Sequence, residues 1–187
     1  HAPAASPQGQ RRCSRRRSIA RRQVRGVQLI RLQLLALPGR ISSPRRRRPV
    51  RRAQIELNAA LPWSLAVVGG LADSILDLGG LELRVLELKG GVADLRIVLP
   101  PPSGRVRVRI GGGADKLTLL RPPEVAAVLQ IAGGASRLAF DGERYGAIGG
   151  ETRLETPNAG CNNDRYEIEI GGGASRVTVA QSDEGSE

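Results

Sequence analysis

Five positions combine a short oxygen-bearing side chain with a glycine-rich approach: Asp73, Asp94, Asp115, Ser136 and Ser175. Each closes a five-residue motif. These are GGLAD at 69–73, GGVAD at 90–94, GGGAD at 111–115, AGGAS at 132–136 and GGGAS at 171–175. Stacked as neighbouring strands, their oxygens would fall about 4.8 Å apart, and a column of three carboxylates could coordinate Ca²⁺. The Ca²⁺-binding GGxGxD repeat is only superficially similar, because it runs on nonapeptides and places its Asp elsewhere. A structural reading is preferred. Asp and Ser share an oxygen that hydrogen-bonds turn backbone, but they do not share charge. A position alternating between them is chosen for turn geometry.

Other chemistry is sparse. Arg105, Arg107 and Arg109 form a stripe that could grip a polyanion, although a charged strand face is more often simply solvated and deters aggregation. Glu167 and Glu169 share one strand face, which leaves carboxylate-only hydrolysis open in principle, with nothing to place them in a cleft. The sole histidine is His1, so no Ser-His-Asp or Cys-His constellation can form in the body. There is no P-loop, GxSxG, HExxH or Rossmann fingerprint. Cys13 and Cys161 offer no metal-ligand spacing and read as two unrelated thiols. The expectation is a non-enzyme with no catalytic, cofactor-binding or metal-binding residues.

The motif starts at 69, 90, 111, 132 and 171 are separated by 21, 21, 21 and 39 residues. A fixed period in the twenties is the signature of a solenoid. Each period reads as strand, glycine corner, strand, turn. In RVRVRI, 105–110, alternation puts Val106, Val108 and Ile110 inward and the arginines outward. Ile131 and Ile170 hold the position of Ile110. After the corner, Leu117 and Leu119 correspond to Val177 and Val179, with Leu138 and Phe140 between them. The glycines are expected to supply positive φ and close backbone approach. EVAAVLQIA is helix-prone in composition but sits at the phase of RVRVRI, so it is read as strand.

Two places break the pattern. Lys89 stands where later coils carry Ile, so a bulge must absorb a one-residue slip, which would set Glu87 beside Arg107. The long final gap carries a surplus within residues 141–163 whose reactive groups are Arg144, Tyr145, Glu151, Arg153 and Cys161. Loops on rigid scaffolds concentrate binding function, and an elaborated turn packed over the solenoid end is an equal alternative. Trp63 could plug the opposite end.

Charge divides the chain. Residues 1–52 hold sixteen Arg and no acid, leaving thirteen Lys and Arg against all eighteen Asp and Glu in residues 53–187. The first segment is expected to be a disordered basic tail, 53–180 the β-solenoid, and 181–187 a disordered acidic end. VQLIRLQLLAL, 27–37, is too short and too charged to span a membrane and could form a short amphipathic helix on an anionic surface. The tail reads as a polyanion binder, a targeting or linker segment, or a fragmentary or misread start. The last two together outweigh the first, since no aromatic residue interleaves with its arginines.

The stretches LDLGGLELRVLELKGGVADLRIVLP, VRIGGGADKLTLLRPPEV, FDGERYGAIGG and DRYEIEIGGGASRVTV resemble the Gly-Gly-Ala β domains of bacterial hypothetical proteins. Those domains are similar to LiaF-type cell-wall-active-antibiotic-response C-terminal domains, toast-rack domains and DUF4097-like "putative adhesin" domains. The resemblance covers the body from about Trp63 to Val179 and none of the tail. It implies an all-β fold, a right-handed single-stranded β-solenoid with coils of about 21 residues. It also implies a non-catalytic sensing, scaffolding or adhesion role acting by protein–protein contact. The location implied is the bacterial cell envelope or a membrane surface rather than a purely cytoplasmic one. Membrane helices precede the domain in LiaF-like proteins, where this chain has its arginine-rich stretch. The protein partner is unknown. Nucleic acid or anionic lipid is open as a ligand only through the tail, and self-assembly through the solenoid ends, as in bactofilins, is a further alternative.

Overall fold

Alternation of small aliphatic residues with charged ones dictates strands buried on one face. The computed structural model describes residues 28–33, 54–161 and 163–182, and among them every regular element is a strand. Thirteen strands form two sheets. The first holds β1 (Gln28–Gln33), β2 (Pro62–Val68), β4 (Glu82–Leu88), β6 (Arg105–Ile110), β8 (Ala126–Ile131), β11 (Thr152–Glu155) and β12 (Arg165–Ile170). The second holds β3 (Leu71–Asp77), β5 (Val92–Val98), β7 (Ala114–Arg121), β9 (Ala135–Phe140), β10 (Glu143–Ile148) and β13 (Ala174–Gln181). Five corners carry the chain from the first sheet to the second, giving the rungs β2–β3, β4–β5, β6–β7, β8–β9 and β12–β13.

The core lies between the sheets. Val106, Val108 and Ile110 are buried while the arginines between them are exposed, as alternation requires. Leu117, Leu119, Val177, Val179, Leu138 and Phe140 meet them from the second sheet. Residues 126–131 are strand, in agreement with repeat phase and against composition. Trp63 closes the core at the first rung, its indole Nε1 donating to the Asn58 carbonyl at 2.8 Å. Tyr166 is fully buried and donates to the Pro100 carbonyl, and its burial pushes the phenol pKa up.

The rungs do not stack in chain order. The first sheet runs β1-β2-β4-β6-β12-β8-β11 and the second β10-β9-β13-β7-β5-β3. The last rung therefore sits between the third and the fourth. β12 pairs in parallel with β6 on one side and β8 on the other, and β13 likewise with β7 and β9. The expected correspondences hold, with Ile170 opposite both Ile110 and Ile131, but Val177 and Val179 are the residues in the middle. The physical cause lies in residues 141–164. After β9 the chain reverses at Asp141-Gly142 into β10, antiparallel to β9, and then into β11, antiparallel to β8. These two strands are the edge strands at that end of the stack, the arrangement of the end-packing alternative. With that end occupied, the last rung takes the interior place.

The basic segment also departs from expectation. Gln28–Gln33 form a strand parallel to β2, not an amphipathic helix, so six residues of the segment expected to be disordered belong to a sheet. The rest of residues 1–53 lie outside the described residues. At the other end β13 continues through Gln181. Residues 183–187 are also outside the described set.

Candidate functional site

The corners come first, because their oxygens were the leading candidates for chemistry. Central glycines are packed against the backbone of the next rung. A Cβ on Gly112 would lie 2.7 Å from the Gly91 nitrogen, and one on Gly172 would lie 2.8 Å from the Gly113 nitrogen. Hydrogen bonds carry the ladder through the corners: Gly112 N donates to Gly90 O at 3.3 Å, Gly172 N to Gly112 O at 3.1 Å and Gly133 N to Gly172 O at 3.2 Å. Close approach is what these glycines provide. Of the corner glycines only Gly69 has positive φ (116°); otherwise positive φ falls on one non-glycine residue per rung just past the corner: Asp73 (48°), Asp94 (53°), Lys116 (52°), Arg137 (53°) and Arg176 (54°).

That column overturns the stacked-carboxylate arrangement. Ala93 pairs with Asp115, and Asp115 pairs with Ser175, so Asp94 falls in the column of Lys116 and Arg176. Leu88 is opposite Ile110, which sets Lys89 at the level of Gly111. The second corner is thus one residue out of phase with the motif alignment, and the slip is absorbed by a bulge where β4 passes Trp63 and Ser64. A carboxylate column gives way to ion pairs. Lys116 Nζ meets Asp94 Oδ2 at 2.8 Å, and Arg176 Nε donates to Asp115 Oδ1 at 3.0 Å. The Arg176 guanidinium holds the Asp115 carboxyl below the usual carboxylate range, and Asp115 raises the Arg176 pKa in return. Among the described residues no group of three His, Cys, Asp or Glu is placed to hold a metal ion.

The outer face of the first sheet carries the arginine stripe, but not as a free cationic track. Glu87 faces Arg109 rather than Arg107, and Glu169 faces Arg109 from the other side at 3.5 Å. Arg107 has Glu167 as its register neighbour, and Glu167 accepts from Arg165 at 2.9 Å. Gln130 donates to Glu151 at 2.6 Å and Arg153 to Glu155 at 2.7 Å. Glu87 comes from the neighbouring rung's β4, whereas Glu167 and Glu169 come from the inserted β12, so much of the interleaving is a tertiary product. This face mixes opposite charges, although Arg105 stands opposite Arg165. Such exposed pairs contribute little singly, and they leave a polyanion no uniform field.

The outer face of the second sheet is different. One row across it reads Ile75, Arg96, Thr118, Thr178, Ala139, Arg144, and the next reads Asp77, Val98, Leu120, Ala180. Thr118, Thr178, Ala139, Val98, Leu120 and Ala180 are uncharged and half-buried, and Ile75 is 73% exposed. Charges stand at the rim: Asp77, Arg96 and Arg144, with the positive-φ column alongside. This face therefore has an uncharged centre with charges beside it, unlike the first sheet's outer face.

The insertion residues are dispersed. Arg144 lies on the outer face of β10, Tyr145 bonds Glu143 at 2.5 Å, and Glu151 and Arg153 join the first sheet's charge pattern. Cys161, expected as a lone thiol, is disulfide-bonded, and Cys13 lies outside the described residues. No shared cleft gathers these groups.

One feature escaped the sequence reading. Arg121, at the end of β7, is 1% exposed. It donates through Nη1 to the Val125 carbonyl and through Nη2 to both carboxylate oxygens of Asp141. The signal was present, since Leu117 and Leu119 face inward and the same phase places Arg121 inward as well. The pair ties the third rung to the fourth across the end of the inserted β13.

Residues 40–120 match the family model for the N-terminal domain of toast_rack, DUF2154. The match starts inside the arginine-rich segment, so the resemblance is not confined to the body. It ends with the third rung. No curated protein matches the chain. Among solved structures, the chain is similar to a crystal structure from Clostridium sporogenes described as a "putative cell adhesion protein". That likeness has a TM-score of 0.52 and 17% identity, and it covers 71% of this chain and 67% of the other. At that identity the likeness speaks for the fold alone. Residues 40–120 are thus similar to the toast_rack N-terminal domain, and the chain shares its fold with that solved structure.

Proposed function

We propose that this protein is a non-catalytic contact module of the bacterial cell envelope, a right-handed β-solenoid that binds another protein through the outer face of its second sheet. The observation that carries the reading is the uncharged centre formed by Thr118, Thr178, Ala139, Val98, Leu120 and Ala180 inside a rim of Asp77, Arg96 and Arg144. The mixed charge of the opposite face supplies the contrast, because Arg109 and Arg165 there already have Glu169 and Glu167 as partners. Toast-rack and adhesion-type likenesses support a contact role over a catalytic one. Polyanion binding would rest on residues 1–52, which hold sixteen Arg and no acid, whereas acids outnumber Lys and Arg in residues 53–187.

The test is co-sedimentation of labelled protein with isolated bacterial cell envelopes. Thr118→Glu with Thr178→Glu places two charges in the centre of the second sheet's face, where desolvating them opposes docking. Arg109→Ala with Glu169→Ala alters the opposite face equally. Binding is expected to fall sharply with the first pair, to persist with the second, and to show little salt dependence. Equal binding by both variants, or binding that vanishes with salt and with removal of residues 1–52, would overturn the proposal in favour of a polyanion contact.

A further inference from the structure

The two sheets end unevenly at the first rung. In the first sheet β1 lies beyond β2, whereas among the described residues no strand lies beyond β3 in the second. β3 pairs in parallel with β5 on one side only. Leu78 N donates to Val98 O at 2.9 Å, so the alternation of a parallel ladder turns the backbone groups of Leu76 toward β5 and those of Ile75 and Asp77 away from it. The free edge therefore presents the N–H and C=O groups of Ile75 and Asp77.

An open edge is a template for pairing, and edges that stay unpaired are kept short, broken or charged. The edges at the far end of the stack follow that rule. β11 has four residues, with Arg153 and Glu155 exposed, and the register of β10 with β9 skips Gly146. β3 is different. It has seven residues, no Pro or Lys, and at its middle Ile75, the most exposed large hydrophobic residue described. Leu71 and Leu76, on its inner side, are only partly buried against the core. Charge specifies what would cover this edge. Asp73 stands level with Asp94 at the head of the positive-φ column. Asp94 has Lys116 as its partner and Asp115 has Arg176, whereas Asp73 and Asp77 form no ion pair among the described residues. A complementary strand places bases beside these two acids and an aliphatic residue beside Ile75. Its other face is aliphatic, over Leu71 and Leu76.

We propose that the free edge of β3 is a strand-addition site, and that its occupant is an extended segment of another protein reading basic, aliphatic, basic at alternate positions. Joined in parallel, it adds one strand to the second sheet and brings that sheet level with the first. Main-chain bonds to Ile75 and Asp77 supply affinity, and the alternate side chains supply specificity. Bases beside Asp73 and Asp77 repeat across the new boundary the pairing that Lys116 makes with Asp94. This inference uses the backbone edge of β3 and not the uncharged centre of the outer face, so it survives if the reading of that face fails.

The test uses the full-length chain and a fluorescent peptide, acetyl-TKVVVKT-amide, whose lysines and central valine share one face. Saturable binding is expected by anisotropy, and the acidic counterpart acetyl-TEVVVET-amide should not bind. In NMR-detected hydrogen exchange the peptide should slow the amides of Ile75 and Asp77, which exchange readily without it. Ile75→Pro removes an N–H on the free side and leaves those facing β5, a placement that edge strands tolerate. It should weaken peptide binding about tenfold, the scale of one lost main-chain bond. Ile75→Thr keeps the N–H and should retain most of the affinity. Thr118→Glu with Thr178→Glu should leave peptide binding unchanged, which separates this site from the outer-face contact. If Ile75→Pro does not fold, exchange on the unsubstituted chain decides. Absent saturable binding, equal binding of both peptides, or full affinity in folded Ile75→Pro would overturn the proposal. So would amides of Ile75 and Asp77 that are already protected without peptide, since the chain would then cover its own edge.

Discussion

The first three rungs and the last two are built from nearly the same decapeptides and reach their places differently. β2–β3, β4–β5 and β6–β7 stack in chain order, each laid on the one before. The fourth rung leaves a gap, the chain doubles back through β10 and β11, and the fifth rung fills the gap. The difference teaches that a repeat specifies the shape of a rung but not its address. Any rung with a Cβ-free corner and inward aliphatics can sit beside any other. Which neighbours it receives is decided by connections: the short link 122–125, the reversal at Asp141-Gly142 and the longer link 156–164.

Hydrogen exchange should separate the two regions most strongly. If the last rung is truly interior, its amides in β12 and β13 exchange only through global unfolding, despite lying near the chain end. Amides of β10, at the closed end of the stack, should exchange through local opening. Early exchange of β12 relative to β6 would return the C-terminal rung to the periphery.

The Arg121–Asp141 pair is the next lever. Asp141→Asn leaves a guanidinium buried beside a neutral partner, and removing one member of a buried pair costs about 3–5 kcal/mol. Asn also tolerates the positive φ of 49° at this position, so backbone strain adds little. Chemical denaturation should show the loss. A change under about 1 kcal/mol would mean that the pair does not hold the third and fourth rungs together.

Corner packing comes third. Gly172→Ala pushes a Cβ against the Gly113 backbone and should cost about 1–3 kcal/mol, the usual penalty of overpacking. Gly80→Ala meets nothing within 4 Å and should be close to neutral. Equal costs at the two sites would show that the interior rung is not tightly stacked.

The smallest effect is at the corner ion pairs. Asp115 titrates below an ordinary carboxylate because Arg176 bonds and attracts its charged form. Any stability this adds is present above the ordinary carboxylate pKa and is lost as pH falls through the lowered value. Arg176→Gln should move the Asp115 titration upward in a carboxyl NMR experiment. No movement would place Asp115 outside the column shared with the inserted rung.

Much was legible in the residues alone. Alternation in RVRVRI, DRYEIEI and DKLTLL fixed which side chains face inward, and repeat phase made 126–131 a strand against its helix-prone composition. These succeed because burial is a local property of a two-residue period. The corner glycines were legible as close contacts. Positive φ at a corner glycine holds at Gly69 alone; in every rung it also falls one step past the corner, where Asp, Lys and Arg give no compositional sign of it. The carboxylate column failed by one residue, since motif alignment matches letters and a bulge shifts backbone without changing them.

The sequence by itself determined the unit: an all-β rung, its inward aliphatics and its Cβ-free corner. Only the tertiary structure decided the order of the rungs, the neighbours of the arginine stripe and the burial of Arg121 against Asp141. Strand pairing in a parallel stack is set by backbone hydrogen bonds common to every residue. Near-identical rungs therefore have near-equal claims on each slot, and chain connection with end closure chooses among them.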